Sequence, residues 1–193
     1  MPLPKVFKKI EGRTDMLYAG NIGIAQEWDL VVDLAKEIKN YPITIWIIGE
    51  GVKKKYLKSQ IKKHKLSNIN ILPYQERKYM PAVNLFADFH FIAMNKSMEN
   101  DGFPSKVYTI MSSGKPIVVV SSKQTPIISF LEKTNAAITV TNHSLLDFKK
   151  AVLKLEANKN LRNTLGINGR NIVKKKFDKQ TVIKKYIKLA EDI

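Results

Sequence analysis

Asp101-Gly102-Phe103-Pro104-Ser105-Lys106-Val107-Tyr108-Thr109-Ile110-Met111-Ser112-Ser113-Gly114-Lys115-Pro116, followed by Ile117-Val118-Val119-Val120, is the stretch on which the fold turns. It reads as a polar loop, a helix and a buried strand. Pro104 suits a helix start, where the N–H that proline lacks would have no partner. Gly114 suits the helix end, where the backbone turns left-handed. Upstream, Phe89-His90-Phe91-Ile92-Ala93-Met94 is a second mostly apolar run, so the order is strand, loop, helix, strand: one parallel crossover unit.

The same alternation repeats outward. Met16-Leu17-Tyr18-Ala19 is a short apolar run closed by Gly20-Asn21-Ile22-Gly23, a buried strand entering a glycine loop. Leu30, Val31, Leu34, Ala35 and Ile38 recur at helical spacing until Asn40-Tyr41-Pro42 stops them. Ile43-Thr44-Ile45-Trp46-Ile47-Ile48 is apolar on nearly every position, which suits a parallel strand covered on both faces. Gly49-Glu50-Gly51 ends it, and a lysine-rich helix runs to about Lys65. Ile69-Asn70-Ile71-Leu72 gives a third strand, then Pro73-Tyr74-Gln75-Glu76 and a short helix near 80–86. Past residue 120 come a helix over 126–133, a strand at Ala137-Ile138-Thr139-Val140, and helices over 145–157, 159–176 and 181–193. Six strands alternating with helices predict an α/β fold, a single Rossmann-like, doubly wound parallel six-stranded sheet with C-terminal helices. The expected organisation is an N-terminal lead-in over 1–15, the sheet domain over 16–177, and a C-terminal helix over 178–193.

Composition bounds the chemistry. The 193 residues are 44% hydrophobic, enough for one sizeable core. The absence of cysteine removes disulfides, thiolate zinc sites and cysteine nucleophiles. His64, His90 and His143 lack metal-ligand spacing, and His90, in mid-strand, reads as a core residue. No apolar run is long enough to span a membrane, and the first residues lack a signal-peptide core, so a cytoplasmic location is expected. The net charge of +16 points either to solvated lysine on helix faces or to an anionic partner. Lys53-Lys54-Lys55, Lys62-Lys63 and Lys174-Lys175-Lys176 sit in helical patterns without interleaved aromatics, so no nucleic-acid partner is expected.

In a doubly wound sheet, ligands bind beyond the carboxyl ends of the strands. That singles out the loops 20–26, 49–52, 73–76, 95–105 and 121–126. A glycine turn at 20–23 lets backbone approach a phosphate, although a plain tight turn has the same appearance and the dinucleotide-binding spacing is not met. A helix starting at Pro104 and Ser105 would point backbone N–H groups into the cleft. Lys106 would lie in its first turn, unfavourable for the helix dipole unless an anion is present or the side chain reaches solvent. Asp101 serves either as a functional acid or as a loop carboxylate capping the helix, with Glu99 as its neighbour and competitor.

The run from Asp101-Gly102-Phe103 to Thr109, continued by Met111-Ser112-Ser113-Gly114-Lys115-Pro116, resembles the donor-site segment of the retaining glycosyltransferase family four, of the GT-B fold. In that family two glutamates stand eight positions apart, as Asp101 and Thr109 do here. The order of Tyr18-Ala19-Gly20-Asn21-Ile22-Gly23, Gly49-Glu50-Gly51 and Pro73-Tyr74 is similar too, and Leu165-Gly166-Ile167-Asn168-Gly169-Arg170 resembles the family's late helix. Tyr18-Ala19-Gly20-Asn21-Ile22-Gly23-Ile24-Ala25-Gln26 and Pro104-Ser105-Lys106-Val107-Tyr108-Thr109-Ile110-Met111 resemble its surface-polysaccharide branch, of colanic-acid and N-acetylfucosamine type.

The resemblance implies binding of a nucleoside diphosphate sugar, UDP- or GDP-linked, with transfer to a lipid-linked or saccharide acceptor and no cofactor or metal. Asp101 and Lys106 become the catalytic candidates. Gly20, Asn21, Gly23, Gly49, Glu50, Gly51, Pro73, Tyr74, Gly102, Phe103, Pro104, Ser105 and Thr109 become the donor-binding candidates. Two departures stand out. Asn21 and Gln26 occupy positions where many relatives carry an Arg and a Lys for the diphosphate, which leaves Lys106 as the remaining counter-charge. Thr109 replaces the second glutamate, which holds the donor ribose. A GT-B enzyme has two facing α/β domains, and the first strand here begins almost at the N-terminus. The chain is therefore expected to be the second domain, in a truncated form or as a natural split subunit, inactive alone, with its C-terminal helix packing toward the missing N-terminal domain. Peripheral contact with the anionic inner membrane face is a further expectation. A non-catalytic partner subunit, a basic nucleic-acid-binding domain and a dehydrogenase-like dinucleotide binder remain as alternatives.

Overall fold

A computed structural model describes residues 3–100 and 102–191. Six strands, β1 (Thr14–Ala19), β2 (Ile43–Ile48), β3 (Ile69–Leu72), β4 (Phe89–Ala93), β5 (Ile117–Val120) and β6 (Ala137–Val140), form one sheet in the order β3-β2-β1-β4-β5-β6, every pairing parallel. The order reverses between β1 and β4, and that junction opens the crevice where such sheets bind ligands. The helices between them are α1 (Trp28–Glu37), α2 (Lys54–His64), α3 (Met80–Phe86), α4 (Lys106–Ser112) and α5 (Pro126–Thr134), and α6 (Leu145–Ala157), α7 (Lys159–Lys176) and α8 (Lys179–Glu191) follow the last strand. No helix among the described residues is long and apolar enough to cross a membrane.

Each strand of the central group is apolar on both sides because each side is covered. Met16, Ile45, Ile47 and Phe89 pack with Val31 and Leu34 of α1 and Phe148 and Val152 of α6, while Ile92, Ile117 and Val119 pack with Val107 and Met111 of α4 and Ile128 of α5. Burying each such side chain is worth about 1.5–3 kcal/mol.

Two of the boundaries that differ from the sequence reading are set by named polar partners. β1 starts at Thr14, earlier than the apolar pattern shows, because the buried Asp15 has partners far off in sequence: Trp46 donates to its Oδ1 at 2.8 Å and the Lys9 ammonium lies 2.8 Å from its Oδ2. The last helix starts at Lys179 instead of 181, and Asp178 caps it by accepting from the Gln180 N–H at 2.9 Å. The lead-in packs onto the sheet through Phe7, whose ring centroid lies 5.4 Å from those of both Trp46 and Phe86.

α7 lies hard against the end of α4. A Cβ on Gly166 would come within 2.0 Å of the Gly114 carbonyl oxygen, and one on Gly169 within 3.2 Å of Met111 and Ala136. The glycines of this late helix are therefore packing residues that let two backbones meet.

A candidate donor site at the sheet switch point

The turn after β1 is built by backbone. The Gly20 N–H donates to Ile48 O (2.9 Å) and the Ile22 N–H to Glu50 O (2.7 Å), which tie the 20–23 turn to the end of β2. The fit leaves no room for side chains: a Cβ on Gly49 would stand 1.9 Å from Gly20 O, and one on Gly51 2.3 Å from Ile22 O. Both residues also hold positive φ, 155° and 151°, which side-chain-bearing residues rarely adopt. Tyr18 donates its hydroxyl to Asn21 O at 2.6 Å, and the Trp28 indole N–H reaches Gly23 O at 2.8 Å. The N–H groups of Asn21 and Gly23 take no part in the bonds that fix the turn.

Lys106 enters this turn from the other side of the switch point. A Cβ on Gly20 would lie 2.7 Å from Lys106 Nζ, and the ammonium stands 3.9 Å from the centre of the Tyr18 ring. The side chain is thus folded into the cleft and does not extend to solvent. Burial pulls its pKa from 10.5 down to about 8. Burial likewise pushes the Tyr18 phenol above its ordinary range, with a smaller push from Tyr74. The Lys106 amine has no carboxylate partner among the described residues, and the Tyr18 face offers only partial compensation.

The helix behind Lys106 differs from expectation. Pro104 and Ser105 do not begin it; they form a lead-in turn in which Pro104 O accepts from the Val107 N–H (3.0 Å) and Ser105 O from the Tyr108 N–H (3.2 Å). The helix starts at Lys106, with Ser105 at the N-cap making no side-chain bond, and is 7 residues long. So short a helix offers little dipole to the turn.

The other predicted residues fall into four groups. Tyr74 lines a cavity of about 280 Å³ together with Ala19, Gly20, Ile48, Gln75, Arg77 and Met80, directly beside the glycine turn. Thr109 lines a second, of about 460 Å³, whose wall shares Arg77 and Met80 with the first. Glu50 and Phe103 face elsewhere: the Glu50 carboxylate is exposed and bonded to Lys54 at 2.5 Å, so it serves the turn through its backbone oxygen, and the Phe103 ring stacks on Tyr108 at 5.3 Å and packs edge-on to Phe130. Pro73 and Gly102 are exposed in their loops. Asp101 lies outside the described residues.

Sequence reasoning missed Arg77, which follows the 73–76 loop and borders both cavities. Its only signal was a lone cation next to a strand-following loop. It also missed His143, whose ring lies between two carboxylates: Nδ1 is 2.7 Å from Glu27 Oε2 and Nε2 is 3.0 Å from Glu99 Oε2. Nothing in the local sequence joins these three residues; the sheet does. His90 is core, as its mid-strand position implies, with Nε2 3.2 Å from Asn84 O and its pKa drawn down to about 4 by burial.

Comparison with known proteins gives the family and the fold. Residues 3–172 match the family model of the glycosyl transferases group 1. Among curated relatives, the Escherichia coli protein WcaI, named as a colanic acid biosynthesis glycosyl transferase, is 23% identical over 172 residues, covering 89% of this chain and 42% of its own length. Among solved structures, Anabaena HepE in complex with UDP superposes with a TM-score of 0.80 at 14% identity, covering 94% of this chain and 49% of that one. The C-terminal domain of the group 1 protein LpcC from Francisella tularensis superposes with a TM-score of 0.67 at 18% identity, covering 86% of this chain and 87% of that one. The chain spans less than half the length of the curated relatives it matches.

Proposed function

Because the chain belongs to the glycosyl transferases group 1 family, we propose that it is the donor-binding α/β domain of a glycosyltransferase that takes a UDP- or GDP-linked sugar. The observation that carries this reading is the Lys106 amine, held against the Gly20 turn with no carboxylate beside it among the described residues. A buried cation without a counter-ion is costly, and a diphosphate in the crevice would supply one. The N–H groups of Asn21 and Gly23, which make no backbone bond, would be available to the diphosphate oxygens. Ribose and base would extend toward Thr109, Tyr74 and Arg77, whose cavities adjoin the turn. HepE, of the same fold, is known in complex with UDP.

The chemistry follows from where charge appears. When the bond from the anomeric carbon to the diphosphate breaks, negative charge grows on the departing phosphate oxygens, and Lys106 stabilises it in place of a bound metal. Asp101 would hydrogen-bond the transferring hexosyl or N-acetylhexosaminyl group, and transfer would retain the anomeric configuration. The acceptor, a lipid-linked or free saccharide of surface polysaccharide synthesis, would enter from a facing N-terminal-type domain that α8 contacts, with lysine-rich faces resting on an anionic inner membrane. Alone, this domain would bind donor and transfer little or no sugar. Isothermal titration of the chain with UDP, GDP and their sugars tests the reading: saturable binding of one nucleotide, lost in Lys106→Met, is expected. A folded chain that binds none of them refutes it.

A further inference from the structure

The two loops that make the candidate donor site leave separate strands, and their tips meet across the switch point. Backbone contacts tie them near the sheet, where the Asn95 N–H donates to Ala25 O at 2.9 Å and Gln26 bridges Met94. Further out, the 95–105 loop has to carry its chain to Lys106. Glu99 fixes its middle. That carboxylate is buried, and its Oε2 accepts from the Ser122 N–H (2.7 Å), from Ser121 Oγ (3.1 Å) and from His143 Nε2 (3.0 Å). Burial opposes ionisation of Glu99, but the bonds from Ser122, His143 and Ser121 outweigh it and hold its pKa below the usual range. The other ring nitrogen of His143 meets Glu27, the residue that ends the 20–26 loop and leads into α1.

We propose that His143 is a positioning residue for the donor site, one imidazole that fastens the loop bearing Gly20 to the loop delivering Lys106. Its place supports the role. His143 projects from the turn between β6 and α6, in the left-handed region at φ 52°, and its side chain is 9% exposed. Both ring nitrogens are engaged, each with a carboxylate from a different loop. Only the imidazolium has an N–H on each side, so it serves both acceptors at once while a neutral ring serves one. The ring's bonds run to Glu27 and Glu99, so it acts through the loops they hold. The link to donor binding rests on the function proposed above; the fastening itself does not.

Hydrogen exchange on the full chain separates the two. His143→Ala should raise amide exchange about tenfold or more in both 20–26 and 95–105, the change expected when a charged hydrogen bond is lost. Glu27→Ala should loosen 20–26 alone, because Glu99 keeps its bonds to Ser121, Ser122 and His143. Peptides from β2 and α2 serve as controls for global unfolding, and if His143→Ala fails to fold, Glu27→Ala decides. Exchange in His143→Ala that stays at the wild-type rate in either loop overturns the proposal, as does a Glu27→Ala variant that leaves 20–26 unchanged. With UDP as probe, the affinity of His143→Ala should fall about tenfold while its melting temperature stays near that of the wild type. A wild-type chain that ignores UDP would sink the donor reading and leave the exchange result to judge His143 by itself.

Discussion

Replacing Lys106 by methionine keeps the length of the side chain and removes its charge. In the free protein burial has lowered the amine to about 8 from 10.5, so an anion bound beside it would draw the proton back. If binding restores the ordinary value, affinity for the protonated form exceeds that for the neutral form by about 300-fold, or about 3.4 kcal/mol. That is close to the roughly 1.5–3 kcal/mol of a charged hydrogen bond, so one such contact suffices. Titrating UDP calorimetrically from pH 7 to pH 9 should show affinity falling about tenfold, since the free amine loses most of its proton across that window. The last phosphate ionisation of the nucleotide, at about pH 6, lies below that window. Lys106→Met should bind weakly with no slope. Stability should move the other way. A folded pKa below the unfolded one means that folding releases a proton, so the free protein gains stability as pH rises from about 8 toward 10.5. The methionine variant, freed of that penalty, should be at least as stable as the wild type at pH 7. A flat pH profile in the wild type, or a variant that binds UDP equally well, would refute the reasoning.

Gly49→Ala should cost about 3 kcal/mol or more in urea denaturation, because the new Cβ would stand 1.9 Å from Gly20 O on a backbone at φ 155°. Arg77→Ala should weaken UDP binding about tenfold and leave urea stability unchanged, since the residue is exposed and borders both cavities. His90 predicts an acid-labile core. Its folded pKa of about 4 lies below the unfolded 6.5, so its contribution is complete above 6.5 and is lost as pH falls toward 4, by up to about 3 kcal/mol. His90→Leu should flatten that part of the stability curve measured by thermal melting.

The fold was legible because its signals are local. The bounds of β2, β3, β6, α3, α6 and α7 follow from apolar periodicity and from glycine and proline stops. Thr14 and Asp15 were not legible, because Asp15 is buried by virtue of partners at positions 9 and 46 that no local pattern reveals. The candidate site divides in the same way. Gly20, Gly49, Gly51 and Lys106 announce themselves by type and by place at strand or helix ends, and the structure brings them together. Arg77 and His143 carry no such mark. Arg77 matters because two cavities share it, and His143 because α1, β4 and β6 end side by side.

The contact of Gly166 with Gly114 bears on the order of assembly. A ribosome delivers β1 to β6 before the helix that braces α4 has emerged. A nascent chain can therefore zip its sheet while the segment holding Lys106 still lacks its outer support. Competence to grip a nucleotide should arrive late in synthesis, with the exit of α7. A ribosome-stalled series of increasing length would show sheet protection appearing well before the 106–112 segment becomes quiet.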